Sequence, residues 1–231
     1  MPERASSHVR QNDGLLARLE RQVLERIARR LPNWINPDHL SALGLASMAA
    51  AGAAFAAFQW NAAIAAAAVV AALAANWFGD SLDGTVARVR CTERPRYGYY
   101  VDHVIDLAGT AFLFTGMSLS GLMNPLVALA LLGAYLLVCA ETYLATHATG
   151  VFRMSYIGFG PTELRILLAA GALKAAQGAS VTIAGIGIRL FDAGAVVAIT
   201  GLAVTFIVAA ARNTRALYRA EPARPVATRA A

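Results

Sequence analysis

The sequence predicts an all-α, polytopic membrane protein: six transmembrane helices preceded by an amphipathic interfacial helix. Three observations predict it. The 231 residues are 58% hydrophobic and 15% charged, with a mean hydropathy of +0.52, too apolar for a soluble domain of this length. The apolar residues fall into six runs, each near the ~20 residues that cross a bilayer core. The net charge of +6 comes almost entirely from arginines, and these cluster at the ends of the runs. That placement suits anionic lipid, so membrane lipids are expected partners and nucleic acid is not.

Residues 1–13 are polar, and no secretory signal is expected. Residues 14–31, GLLARLERQVLERIARRL, place Leu16, Leu19, Val23, Ile27 and Leu31 near one helical face. Arg18, Arg21, Glu25, Arg26 and Arg29 lie elsewhere, as in a helix on the membrane surface or one packed on a partner. Pro32 and Pro37 break the chain, and Asp38 or Ser41 is expected to cap the next helix. The apolar runs are 40–59, 62–88, 98–120, 125–147, 162–180 and 193–212. Short connections with turn residues at 59–61, 121–125 and 158–161 imply an antiparallel bundle. The expected organisation is a juxtamembrane segment, 1–37, a membrane domain, 38–212, and a flexible cytoplasmic tail, 213–231, holding Pro222 and Pro225.

The charges orient the bundle. With six spans, the arginines before the first run, Arg88, Arg90, Arg94 and Arg96, then Arg153, Arg165 and those from Arg212 onward share one side. The other side receives Arg189, with Lys174 buried toward that end. The positive-inside rule therefore puts both termini in the cytoplasm and the chain in the cytoplasmic (inner) membrane. Cys91 and Cys139 lack metal-ligand spacing and read as unpaired thiols of a reducing compartment.

Four carboxylates interrupt this apolar chain. Asp80 and Asp83 precede the inner end of the second run, and Asp102 and Asp106 follow the inner start of the third. If those runs form a hairpin, a 1.5 Å rise puts both pairs roughly 6–12 Å below the inner surface. Spacings of three and four place each pair on one helical face. A single such aspartate reads as a paired structural residue, but four at matched depth do not. Ionised carboxylates at membrane depth cost a few kcal/mol each and raise one another's pKa. Bound hard cations, Mg²⁺ or Mn²⁺ before Ca²⁺, relieve that cost, and four carboxylates suffice for two ions. Two such ions suit displacement at phosphorus. A cation or proton pathway is the rival reading, because buried acids also mark transporters. A silent scaffold is a weaker rival, since it would have no use for four costly acids.

The residues Asp80-x2-Asp83-Gly84-x2-Ala87-Arg88, then Gly98-x3-Asp102-x3-Asp106, resemble the signature of the CDP-alcohol phosphotransferases at every fixed position. Pro37-Asp38-His39-Leu40-Ser41 is similar to that family's PNxLT stretch, with Asp and Ser in place of the usual Asn and Thr. The resemblance implies transfer of a substituted phosphate from a CDP-linked donor to an alcohol, with release of CMP, in phospholipid synthesis. It implies that Asp80, Asp83 and Asp102 hold metal, and that Asp106 is the general base and an additional metal contact. It implies a CDP site at Asp80, Gly84, Ala87, Arg88 and Gly98, where small residues admit the nucleotide and Arg88 suits phosphate. Homodimerisation is a further family-based expectation.

Arg153, Glu163 and Arg165 are candidate acceptor or phosphate contacts, the latter two in GPTELR at the start of the fifth run. Glu141 is a candidate to face the cavity, and His103 reads as a packing or hydrogen-bonded residue. Both donor classes stay open: CDP-diacylglycerol with a small alcohol, or CDP-choline or CDP-ethanolamine with diacylglycerol. The Asp102-His103 pair is similar to the DHxxD of the second class.

Overall fold

A computed structural model describes residues 15–150, 161–178, 180–183 and 186–221. Its elements are α1 (Leu15–Arg30), α2 (Pro37–Ala56, continued by a 3-10 turn Ala57–Gln59), α3 (Ala62–Val89), α4 (Pro95–Leu119), α5 (Pro125–Thr149), α6 (Pro161–Ala176), β1 (Ser180–Ile183), β2 (Ile186–Arg189) and α7 (Leu190–Ala220). Asparagines start three of the helices. The side chains of Asn36, Asn61 and Asn124 accept the backbone N–H groups of His39, Ile64 and Leu126. Proline follows two of these caps, at Pro37 and Pro125, where its missing N–H costs nothing. The cap of α2 is therefore Asn36, in a box closed by His39, and not Asp38 or Ser41 as expected. Pro37 at the first helical position leaves the residue before it to cap.

Among the described residues, four helices are long and apolar enough to cross a membrane: Pro37–Gln59, Ala62–Val89, Pro125–Thr149 and Leu190–Ala220. Six were expected. Helix α6 has 16 residues, about 24 Å of rise and short of the ~30 Å core. Helix α4 carries Arg96, Asp102, His103 and Asp106 in its first half, which lowers its hydropathy. The exposed Trp34 and Trp60 bracket α2 at its two ends, where amphipathic rings suit the two membrane interfaces.

Helix α2 is the centre of the fold. It packs along both α3 and α4, while α3 and α4 do not pack along each other. The hairpin expected of the second and third runs is thus opened by a wedge. Glycines make the wedge fit. A Cβ on Gly79 of α3 would lie 2.6 Å from the Leu40 carbonyl oxygen and 2.8 Å from the Gly44 nitrogen of α2. A Cβ on Gly116 of α4 would strike the Gly52 carbonyl, and one on Gly52 would strike the Phe112 carbonyl. Backbones this close need residues without side chains, which a membrane bundle uses in place of hydrophobic attraction.

Around the wedge, α6 packs on α3, α5 on α4 and α7 on α5. The main core joins them through Phe55, Val69, Leu73, Leu113, Met117 and Ala172, with Phe55 edge-on to Phe191 at 5.6 Å. A smaller core holds α1: Leu24 and Ala28 are buried with Leu40, Leu82 and Val86. Helix α1 thus covers α3 with Leu24 and Ala28, flanked by Ile27 and Leu31 of the expected stripe, while Val23 of that stripe is exposed. Arg90, read from the sequence only as an inner-side charge, fastens this region. Its guanidinium donates to the carbonyls of Ile35 (2.6 Å), Leu31 (2.9 Å) and Pro32 (3.2 Å).

Two further departures lie near the carboxy terminus. Between the expected runs 162–180 and 193–212, β1 and β2 form an antiparallel pair that matches Ser180 with Arg189 and Val181 with Ile188. Lys174, expected to be buried, is exposed. Helix α7 runs past the expected end at 212 to Ala220. Its 31 residues rise about 46 Å, so one end outreaches the bilayer core. Both cysteines are free, Cys91 exposed and Cys139 buried.

Candidate active site

The four aspartates lie on α3 and α4 at the end of the wedge where α2 begins. Asp83 is held by two donors. The Ser41 hydroxyl from the first turns of α2 donates to its Oδ2 at 2.6 Å, and the Gly84 N–H donates to its Oδ1 at 2.5 Å. Asp80 is held from the other side. Arg165 of α6 donates from Nη2 to Asp80 Oδ2 at 2.6 Å and from Nε to Asn76 Oδ1 at 2.7 Å. Asn76, buried one turn before Asp80, donates from Nδ2 to the Gly44 carbonyl at 2.9 Å. A continuous chain of hydrogen bonds thus ties α6 to α3 and α3 to α2.

The Asp80 and Asp102 carboxylates are both charge neighbours of Asp83. Asp102 stands across the opening on α4, with a side chain 49% exposed. Asp106, one turn further along α4, is a charge neighbour of Tyr135, Cys139 and Tyr143 on α5. The structure therefore places Asp80 and Asp102 each in electrostatic reach of Asp83, and Asp106 at the α4–α5 seam. His103 packs there as expected: its Nδ1 lies 2.7 Å from the Tyr99 carbonyl, and its ring sits 4.1 Å from that of Tyr99 and 5.2 Å from that of Tyr143.

The remaining signature residues lie at the same ends of α3 and α4. Arg88 is exposed and donates to Thr85 Oγ1 at 3.1 Å, with its Nη1 3.3 Å from where a Gly84 Cβ would stand. Ala87 is half-buried one turn from Asp83. A Cβ on Gly98 would meet nothing within 4 Å, so α4 starts beside open space. Arg94 closes the rim, donating to both oxygens of Asp38 at 2.5 and 2.7 Å and lying 4.0 Å from the centre of the Tyr97 ring. Glu163 is exposed in the first turn of α6. Glu141 accepts from Asn213 at 2.7 Å and so ties α5 to α7. Arg153 lies outside the described residues.

Sequence reasoning missed Asn76 and gave Ser41 and Asp38 only a capping role. A signal existed for Asn76: an asparagine inside an apolar run, four residues before a carboxylate, needs a partner. No such signal ties Ser41 to Asp83, because their contact depends on how α2 crosses α3.

Among the described residues, no three His, Cys, Asp or Glu side chains converge as ligands of one ion. The donor chemistry nonetheless fits a hard divalent cation. Asp80, Asp83 and Asp102 are all-oxygen donors, the first and last each in electrostatic reach of Asp83, with open space beside Gly98 one turn before Asp102. Asp80 is engaged by Arg165 and Asp83 by Ser41, and those two bonds set how the carboxylates are turned.

Long apolar helices around a wedge, with acids and arginines gathered at one end, define a helical membrane protein with a polar site let into its bundle. The family model for CDP-alcohol phosphatidyltransferase matches residues 34–209, from just before the Asn36 cap through most of α7. The chain belongs to the CDP-alcohol phosphatidyltransferase family, which makes it a transferase of phospholipid synthesis acting on a CDP-alcohol. No curated protein matches it.

Proposed function

We propose that this chain transfers a substituted phosphate from a membrane-bound CDP-linked donor to an alcohol, in a reaction that depends on Mg²⁺ or Mn²⁺. The observation that carries the reading is the grouping of Asp80, Asp83 and Asp102 at the open end of the α2 wedge. A pathway for ions has no need of the Gly84, Ala87, Arg88 and Gly98 spacing that accompanies them.

In this reading Asp80, Asp83 and Asp102 hold the cation, with Asp106 as an additional contact. When bound, a divalent cation neutralises the phosphate charge that builds up at the transferred group. Ser41 and Gly84 fix the orientation of the Asp83 carboxylate. Gly84, Ala87 and Gly98 leave room for the nucleotide, and the exposed Arg88 guanidinium is free to meet phosphate oxygens. Asp106 accepts the proton of the acceptor hydroxyl as its oxygen bonds to the β-phosphorus. The bond from that phosphorus to the bridging oxygen breaks, and CMP leaves with the electron pair. Glu163, Arg165 and Arg153 serve the acceptor side.

The same reading makes α4 and α6 the two further spans. The polar half of α4 faces the site, and α6 leans on α3. It lays the exposed side of α1 on the membrane surface, puts both termini and the site in the cytoplasm, and pairs two copies as a homodimer. The test is CMP release by the purified chain in lipid–detergent micelles with Mg²⁺ or Mn²⁺. CDP-diacylglycerol is run against a panel of alcohols, then CDP-choline and CDP-ethanolamine against diacylglycerol. Metal-dependent CMP with one pair is expected and names the substrates. Failure with every pair removes the transferase reading and favours a transporter.

A further inference from the structure

We infer that Arg165 stands in for the cation at Asp80, and that its guanidinium leaves when a divalent cation binds and turns to an anionic phosphate in the same opening. The inference rests on the metal-dependent reading above. Arg165 is no loose surface charge: its side chain is 14% exposed, with Nη2 at 2.6 Å from Asp80 and Nε at 2.7 Å from Asn76. Asn76 is itself buried and fixed on the Gly44 carbonyl, so the guanidinium is presented in one orientation. An ionised Asp80 inside an apolar helix needs a positive partner, and Arg165 supplies it.

Asp80 thereby has two claimants. An ion bonded to Asp80 would stand within a few ångströms of a guanidinium 2.6 Å from the same carboxylate, where like charges repel strongly. Exchange relieves the conflict. The freed guanidinium keeps its planar fork of donors, which matches phosphate oxygens as well as it matches carboxylate. It is carried by α6, whose main packing partner is α3, so a small shift of one helix or one side chain completes the move. The consequence is an order of events: an anion-binding arginine becomes available only after the cation is in place.

The test uses the full chain in micelles without nucleotide or alcohol. Mn²⁺ binding is followed by electron paramagnetic resonance, and modification of Arg165 by phenylglyoxal is followed by peptide mass spectrometry. Bound Mn²⁺ is expected to speed modification of Arg165 several-fold, and inorganic phosphate added with Mn²⁺ is expected to slow it again. Arg165→Gln is expected to bind Mn²⁺ about tenfold tighter, the factor that corresponds to one charge-assisted hydrogen bond no longer broken on loading. If Mn²⁺ binds and Arg165 reacts no faster, the exchange is overturned, whatever the affinity of the variant, and the metal-dependent reading stands. If neither protein binds Mn²⁺, both readings fall. The wild-type modification rate decides the matter should Arg165→Gln not fold.

Discussion

The two acid-bearing helices hold their carboxylates in opposite ways. On α3, Asp80 and Asp83 are each clamped by a side chain from another helix, Arg165 from α6 and Ser41 from α2. On α4, Asp102 is half exposed, and Asp106 lies by the tyrosines and thiol of α5. Helices α2 and α6 make the difference: each brings one donor to α3, while α4 starts beside open space at Gly98. The contrast teaches a division of labour. Asp80 and Asp83 are held in set orientations by side chains of other helices, whereas Asp102 is left half exposed and Asp106 is set against α5.

Five substitutions break or sharpen that division. Asp106→Asn should have the largest effect, a loss of about 10²–10⁴ in transfer rate, the usual worth of a general base. CDP-donor affinity, measured by titration, should stay near wild type because the α3 pair is intact. Wild-type turnover would take the base role away from Asp106.

Next come the crossings. Gly79→Ala and Gly116→Ala each force a Cβ into backbone of α2 and should cost about 1–3 kcal/mol, read as a lowered melting temperature in detergent. Only Gly79→Ala, which adjoins Asp80, should also weaken Mn²⁺ binding; equal losses in both variants would mean that the site depends on the bundle as a whole. Ser41→Ala removes the donor on Asp83 and should weaken Mn²⁺ binding about tenfold with little change in melting temperature. An unchanged affinity would show that Asp83 needs no clamp. The smallest effect belongs to the turn between the two helices. Cys91 there has φ +54°, with Thr92 N–H on the Ala87 carbonyl and Cys91 N–H on that of Arg88. Cys91→Gly should stabilise by about 1 kcal/mol by relieving a left-handed residue, with no effect on binding.

Much of the fold was legible because its causes are local. The proline breaks, the long apolar runs of α2, α3, α5 and α7, and the helical period of 14–31 are each written within a few turns of chain, whereas the cap of α2 was misplaced by a few residues. Helices α4 and α6 were harder. Polar residues serving a site and a short run both weaken the apolar signal, so the span count could not be read from hydropathy alone. The β-pair at 180–189 was missed because its apolar residues differ little from those of a span end.

The candidate site divides the same way. By itself, the sequence determined where the acids fall: four aspartates at spacings of three and four, with small residues and an arginine between them, in a chain too apolar to be soluble. These are facts of composition and of helical period, and no other part of the fold is needed to read them. Only the tertiary structure decided that α2 separates the two acid-bearing helices, that Ser41 reaches Asp83, and that Arg165 lies on Asp80. Those contacts join residues far apart in the chain. They depend on where backbones without a Cβ can meet, and a glycine shows that a close approach is possible without showing to which helix.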